Sequence, residues 1–363
     1  MKKFLAILSL VLCMCILGGC MGTPVIYHGN CDCPTQGSNP PTQGGNTPTQ
    51  GTEATANESV LKTGLALVTG ISGSSSATAE KNGEGKYDVT MVAVLVDDQG
   101  VIRDCIIDGI STSVKFDAAG QIVTDLTAAP QTKNELGDKY GMVAYGNAKF
   151  EWYQQAQALA DFAVGKTVQQ LRSGAVSESG YAPQGSDLAS SATIYLGGYV
   201  SAIEAAVANA THLGAKSGDS LRLAAQTGIS SSKSAGEKKG ATQLDVTVTA
   251  LTMKDGVITS CTIDSVQAKV EFDATGTVTS NLEGTVKTKN QLGKDYGMMA
   301  YGNAKFEWNE QAASFAGYVT GKTPAQVAGI AVNESTKPTD ADLASSVTIA
   351  IGGFQALIAK ACQ

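Results

Sequence analysis

Strand-like stretches followed by helix-like stretches occur in the same order twice along this chain. Tyr87–Val96 and Leu244–Met253 are rich in Val and Thr, the composition of strands. Turns at Asp97-Asp98-Gln99-Gly100 and Lys254-Asp255-Gly256 separate them from Val101–Ile107 and Val257–Ile263. Shorter strands fit Ser113–Phe116 with Ile122–Thr124, and Lys269–Phe272 with Val278–Ser280, around Gly120 and Gly276. The period then changes. Trp152, Ala156, Leu159, Ala160 and Ala163 recur at helical spacing, as do Trp308, Ala312, Phe315, Ala316 and Val319. Asn147 is a good N-cap for the first of these helices. A short helix is expected after each of Gly165-Lys166-Thr167 and Gly321-Lys322-Thr323, and a last helix over Ser190–Ala208 and Ser345–Ala361. Strands first and helices after predict an α+β domain, present in two tandem homologous copies.

The duplication is explicit in the letters. KNELGDKYGMVAYGNAKFEW at Lys133–Trp152 returns as KNQLGKDYGMMAYGNAKFEW at Lys289–Trp308, sixteen of twenty positions identical at a period of 156 residues. Copies this long are tandem domains rather than units of a solenoid. The organisation read from the chain is a leader over 1–19, a tether over 20–58, a first domain over 59–212 and a second over 213–363, each domain expected to fold on its own core.

The N-terminus changes the picture. Lys2 and Lys3 precede an apolar run, Phe4–Ile16, too short to span a bilayer, and Leu17-Gly18-Gly19-Cys20 resembles a bacterial lipobox. Cys20 is the expected lipidation site, placing the protein on the outer side of the cell membrane by a lipid anchor. The Pro, Thr, Gln and Gly of the tether offer nothing to bury and predict disorder. A formal charge of −7 without a basic stripe speaks against a nucleic-acid partner. The two histidines, His28 and His212, lie in the tether and between the copies, which leaves no His-based acid–base or metal chemistry. Cys105 and Cys261, equivalent in the two copies, read as small core residues, and no metal-ligand spacing is present.

The candidate chemistry lies at the start of each last helix, Asp187-Leu-Ala-Ser190-Ser191-Ala192-Thr193 and Asp342-Leu-Ala-Ser345-Ser346-Val347-Thr348. A threonine hydroxyl in a first helical turn would sit among unpaired backbone N–H groups that favour a phosphate. The small Ser190, Ser191 and Ala192 leave room for a bulky partner. The plain alternative is a Ser-rich helix start that caps itself. The pattern Asp-x-x-Ser-Ser-Ala-Thr resembles the signature of FMN-binding domains modified by an ApbE-type FMN transferase, which takes FMN from FAD and links its phosphate to the final threonine. Both copies resemble this domain over nearly their whole length. With the lipobox and tether, the chain is similar to flavinylated lipoproteins of the PplA type, from Gram-positive extracellular electron transfer. The resemblance implies two covalent FMN groups, on Thr193 and Thr348. It makes Asp187 and Asp342 the motif aspartates, and Ser190, Ser191, Ser345 and Ser346 the small hydroxyl positions. The second copy departs at Val347, where Ala192 fits the family. Its β-branched side chain is expected to slow modification of Thr348.

An isoalloxazine ring also needs a face to lie on. Tyr140 and Tyr296, off the helical stripe, are the stacking candidates, beside Met142 and Met298; Trp152 and Trp308 read as core. Lys149 and Lys305 could meet flavin charge or simply face solvent, and solvent is the expectation. The expectation is a redox carrier, not an enzyme. It would take electrons from a membrane quinol-oxidising donor and pass them to an extracellular acceptor such as ferric iron. The competing readings are a cofactor-free adhesive or ligand-binding surface lipoprotein and a flavin-dependent reductase. The anchor is directly testable: Cys20→Ser should move the protein from the membrane fraction to soluble or secreted material, and a variant that stays with the membrane would rule out the lipobox.

Overall fold

The computed structural model describes residues 59–363; the leader, Cys20, the tether and His28 lie outside the described residues. The first copy begins with β1 (Lys62–Gly70), β2 (Gly83–Val96) and β3 (Ile102–Phe116), an antiparallel sheet in the order β1-β2-β3. It continues with α1 (Lys133–Leu136), a 3₁₀ turn, α2 (Met142–Gly146), α3 (Trp152–Ala163), α4 (Val168–Ala175), α5 (Asp187–Ser191) and α6 (Gly197–Ala208). The second copy repeats this with β4 (Ser220–Gly228), β5 (Gly240–Lys254) and β6 (Val257–Phe272). Its helices are α7 (Lys289–Leu292), α8 (Met298–Gly302), α9 (Trp308–Val319), α10 (Pro324–Ala328), α11 (Ala341–Ser346) and α12 (Gly352–Ala361). The α+β class is as the sequence pattern predicts.

The period of two in the strands decides how the layers stack. In β2, Tyr87, Val89, Met91, Ala93 and Leu95 point to one face and pack with Leu244, Val246, Val248 and Ala250 of β5. Val92, Val94 and Val96 point to the other face and pack with Trp152 and Leu159 of α3 and Val200 and Ile203 of α6. The second sheet is covered in the same way by α9 and α12, through Trp308, Phe315, Leu357 and Ile358. The result is four layers: helices, sheet, sheet, helices. The two copies therefore share a central core and belong to one compact unit. This differs from the expectation of two self-sufficient cores, because each sheet is apolar on both faces.

The seam between the copies is close to two-fold symmetric. Phe116 and Phe272 are fully buried and stack in parallel, ring centroids 3.8 Å apart. Ala77 N–H donates to Gly276 O (2.8 Å), and Ala235 N–H donates to Gly120 O (2.7 Å). Gly120 and Gly276 sit at φ +66° and +68°, and a Cβ on either would come within 2.8 Å of a backbone oxygen of the other copy. Glycine is thus required twice over, by conformation and by approach. The buried Tyr87 hydroxyl is paired with Thr242 Oγ1 at 2.7 Å, and burial pushes its pKa up.

Other differences have local causes. β1 and β4 carry no strong strand signal, and β3 runs unbroken where two pieces were expected. Its middle, Asp108-Gly109-Ile110, pairs with Thr90 and its neighbours on β2. Asp108 turns its carboxylate to the N–H groups of Gly109 and Asn134, which docks α1 on the sheet; burial pushes its pKa up to about 6. Asn147 is the C-cap of α2 at φ +51°, a left-handed conformation that Asn tolerates, rather than the N-cap of α3. Cys105 and Cys261 are core residues as expected, and burial pushes both thiols up to about 12. Among the described residues no helix is long and apolar enough to cross a membrane.

A shared core predicts shared unfolding. Phe116→Ala should cost about 3–5 kcal/mol, and the two copies should melt together. Calorimetry, with the fluorescence of Trp152 and Trp308 followed separately in single-Trp variants, should show coincident transitions. Two separate transitions would mean that the copies fold independently.

Candidate functional site

The buried stripe of α3 has the expected Trp152, Ala156, Leu159, Ala160 and Ala163, and one member that its polarity would exclude although its spacing fits. Gln155 is fully buried, and a buried amide must be paired. Its Nε2 donates to Phe150 O at 2.9 Å. Its Oε1 accepts three hydrogen bonds, from Thr193 N–H (2.8 Å), the Thr193 hydroxyl (3.1 Å) and Ile194 N–H (3.1 Å). The second copy reproduces the arrangement: Gln311 Nε2 donates to Phe306 O, and Oε1 accepts from Thr348 N–H, the Thr348 hydroxyl and Ile349 N–H at the same three distances.

The motif folds into this clamp for local reasons. Ser186 caps α5 by accepting from Ala189 N–H, Asp340 caps α11 by accepting from Leu343 N–H, and Leu188 and Leu343 pin the helices to the outer cores. The serine hydroxyls close back on their own helices: Ser190 donates to Asp187 O and Ser345 to Asp342 O, while Ser191 and Ser346 donate to the carbonyls of Leu188 and Leu343. The helices stop at the buried, extended Ala192 and Val347, and the next residue is the threonine. This corrects the sequence reading. Thr193 is not in the first turn of a long helix: α6 starts only at Gly197, and α12 only at Gly352. The N–H groups of Thr193 and Ile194 meet the Gln155 carbonyl. Val347 sends its methyls into the second outer core, so the hydroxyl geometry at Thr348 is the same as at Thr193.

Thr193 is exposed and Thr348 partly exposed. Because each hydroxyl donates inward to an amide oxygen, its lone pairs face outward. Lys149 Nζ donates to Ser190 O (3.4 Å) and Lys305 Nζ to Ser345 O (3.2 Å), so a cation stands at the C-terminal end of each short helix, just before the threonine. These lysines, expected simply to face solvent, are exposed but positioned, each also lying over the ring of Phe150 or Phe306.

The ring-stacking candidates occupy equivalent places in the two copies. Tyr140 and Met142 pack partly against the outer core, and Lys133 Nζ lies 5.0 Å from the Tyr140 ring centroid; burial pushes the phenol pKa up. Tyr296 is pushed up likewise and donates to Gln267 Oε1, with Met298 beside it on the second outer core. The amides of Met142 and Val143 are held by the carboxylate of buried Glu151, and those of Met298 and Met299 by Glu307. Much of the repeated twenty-residue stretch is thus local scaffolding for the helix that carries the clamp. Sequence reasoning missed Gln155 and Gln311, although an amide on an apolar stripe, twice, was a readable signal. A 490 Å³ polar cavity lined by Asp97, Arg103 and Asp219 includes neither threonine. Among the described residues no group of His, Cys, Asp and Glu is placed to hold a metal ion.

Comparison with known protein families, curated proteins and solved structures finds no match to this chain.

The clamp makes a specific demand. Gln155→Ala strands two backbone N–H groups and should lower stability by about 1–3 kcal/mol. Hydrogen exchange should speed up at Thr193 and Ile194 while Thr348 and Ile349 stay protected. Unchanged exchange at Thr193 would show that the amide does not hold the loop.

Proposed function

We propose that the protein is a lipid-anchored, extracytoplasmic electron carrier with FMN joined through its phosphate to Thr193 and Thr348. The observation that carries this reading is the clamp: in both copies a threonine hydroxyl at the surface donates to a buried glutamine, and a lysine ammonium donates to the carbonyl of the serine three residues before that threonine. The residues fit a phosphoester. The hydroxyl is accessible, the cation suits the added negative charge, and Gln155 keeps two backbone donors on its Oε1 after the hydroxyl proton is gone, so the loop stays anchored. The amide orients the hydroxyl but is no base. Deprotonation therefore falls to the ApbE-type transferase. Transfer from FAD forms the threonine O–P bond, breaks the pyrophosphate bond and releases AMP. Bound flavin supplies reversible one- and two-electron transfer; the chain holds the attachment point still and leaves it open to solvent. Electrons would come from a membrane quinol-oxidising donor and leave to an extracellular acceptor such as ferric iron.

Coexpression with an ApbE-type transferase should add two FMN increments to the intact mass, with visible flavin absorption. Thr193→Ala should lose one increment and Thr193→Ala with Thr348→Ala both. Cells whose only copy is the double variant should lose reduction of insoluble ferric iron at normal surface levels. A double variant that still carries flavin, or colourless protein that still supports reduction, would overturn the proposal.

A further inference from the structure

The two clamps match, but the surface beside them does not. Leu196 N–H donates to Gly180 O, and Ile351 N–H donates to Thr336 O, both at 2.8 Å. Ser177 N–H donates to Tyr181 O, as Asn333 N–H does to Lys337 O, both at 2.9 Å. The same loop therefore lies against the same segment in each copy, and position 181 corresponds to 337, and 195 to 350. In the first copy these positions are Tyr181 and Tyr195, about half exposed (48% and 54%), edge to face at 5.6 Å between centroids. The Tyr195 ring rests on two glycines, since a Cβ on Gly180 or Gly197 would come within 2.2 or 2.9 Å of a ring carbon. In the second copy the positions are Lys337 and Ala350, and Thr336, at φ +56°, takes the space of Gly180.

We propose that Tyr181 and Tyr195 form an aromatic platform for a planar ring tethered at Thr193, and that the second copy lacks it, so that a ring on Thr348 stays in solvent. The inference rests on the FMN reading above and goes further, giving the two sites different work. Tyr195 is two residues from the attachment hydroxyl, its ring is held in place by packing, and its exposed surface is unused in the structure. Aromatic pairing favours a docked ring by roughly two- to tenfold in population. A docked flavin is shielded by the protein, whereas a free one can meet acceptors. Tyr145 and Tyr301, over nine-tenths exposed, occur in both copies and cannot account for a difference between them.

The test uses two singly loaded proteins, Thr348→Ala with FMN only on Thr193, and Thr193→Ala with FMN only on Thr348, the load checked by intact mass. A phenol in contact with an excited flavin gives it an electron and takes it back, which quenches emission. Flavin on Thr193 should therefore be several-fold dimmer, per flavin absorbance, and better protected from iodide. Tyr181→Ala with Tyr195→Ala should raise its emission to the level at Thr348 without changing the load. Thr336→Gly, Lys337→Tyr and Ala350→Tyr together should dim the second site. Equal emission from the two loaded proteins, or no response to removing the tyrosines, would overturn the platform while leaving the carrier reading in place. Absence of the FMN increment from both would overturn the carrier reading and the platform with it.

Discussion

Each sheet of this protein has three strands and two apolar faces. Its own helices cover one face; the other can leave water only against another sheet. That constraint sets the four-layer order and brings Phe116 onto Phe272. It also gives β2 its unbroken apolar run from Met91 to Val96, whose side chains are buried alternately on the two faces.

Packing and chemistry meet at Gln155 and Gln311. An amide inside an apolar helix–sheet interface is costly unless every polar atom is paired. Here the pairing reaches from the core to the surface, from the Phe150 carbonyl through the side chain to Thr193. The threonine is exposed, yet it is held by a residue that is not. Under the proposed function, an enzyme bringing a bulky nucleotide to this hydroxyl would meet a fixed target, and the two backbone N–H groups would keep the loop on Gln155 after the hydroxyl proton had left.

Much of the architecture was legible because it rests on periodicity. The stripe from Trp152 to Ala163 and the Val-rich β2 were readable, and the duplication was plain in the letters. What was not legible depends on pairing across distance. β1 and β4 were missed because Gly64 and Arg222 dilute their patterns and their strand character comes from β2 and β5. Helix starts were misplaced because Glu151 and Gln154 cap α3 where Asn147 looked the better cap. The motif threonine was put in a helix because Ser, Ala and Thr are compatible with one; after the break at Ser191 its backbone is held by Gln155, 38 positions from Thr193 in sequence. The inner face shared by both sheets could not be read from either copy alone.

The near two-fold seam is what an ordinary homodimer would present. Joining the halves through residues 209–219 makes their association independent of concentration. Fusion has a second effect. In a dimer of identical chains every substitution appears on both sides of the axis, so the two surfaces can never differ. Within one chain the seam can be kept while each outer surface varies by itself, as Gly180 beside Tyr195 and Thr336 beside Ala350 already do. One polypeptide can thus carry two versions of a site on a common frame, an arrangement closed to a symmetric pair.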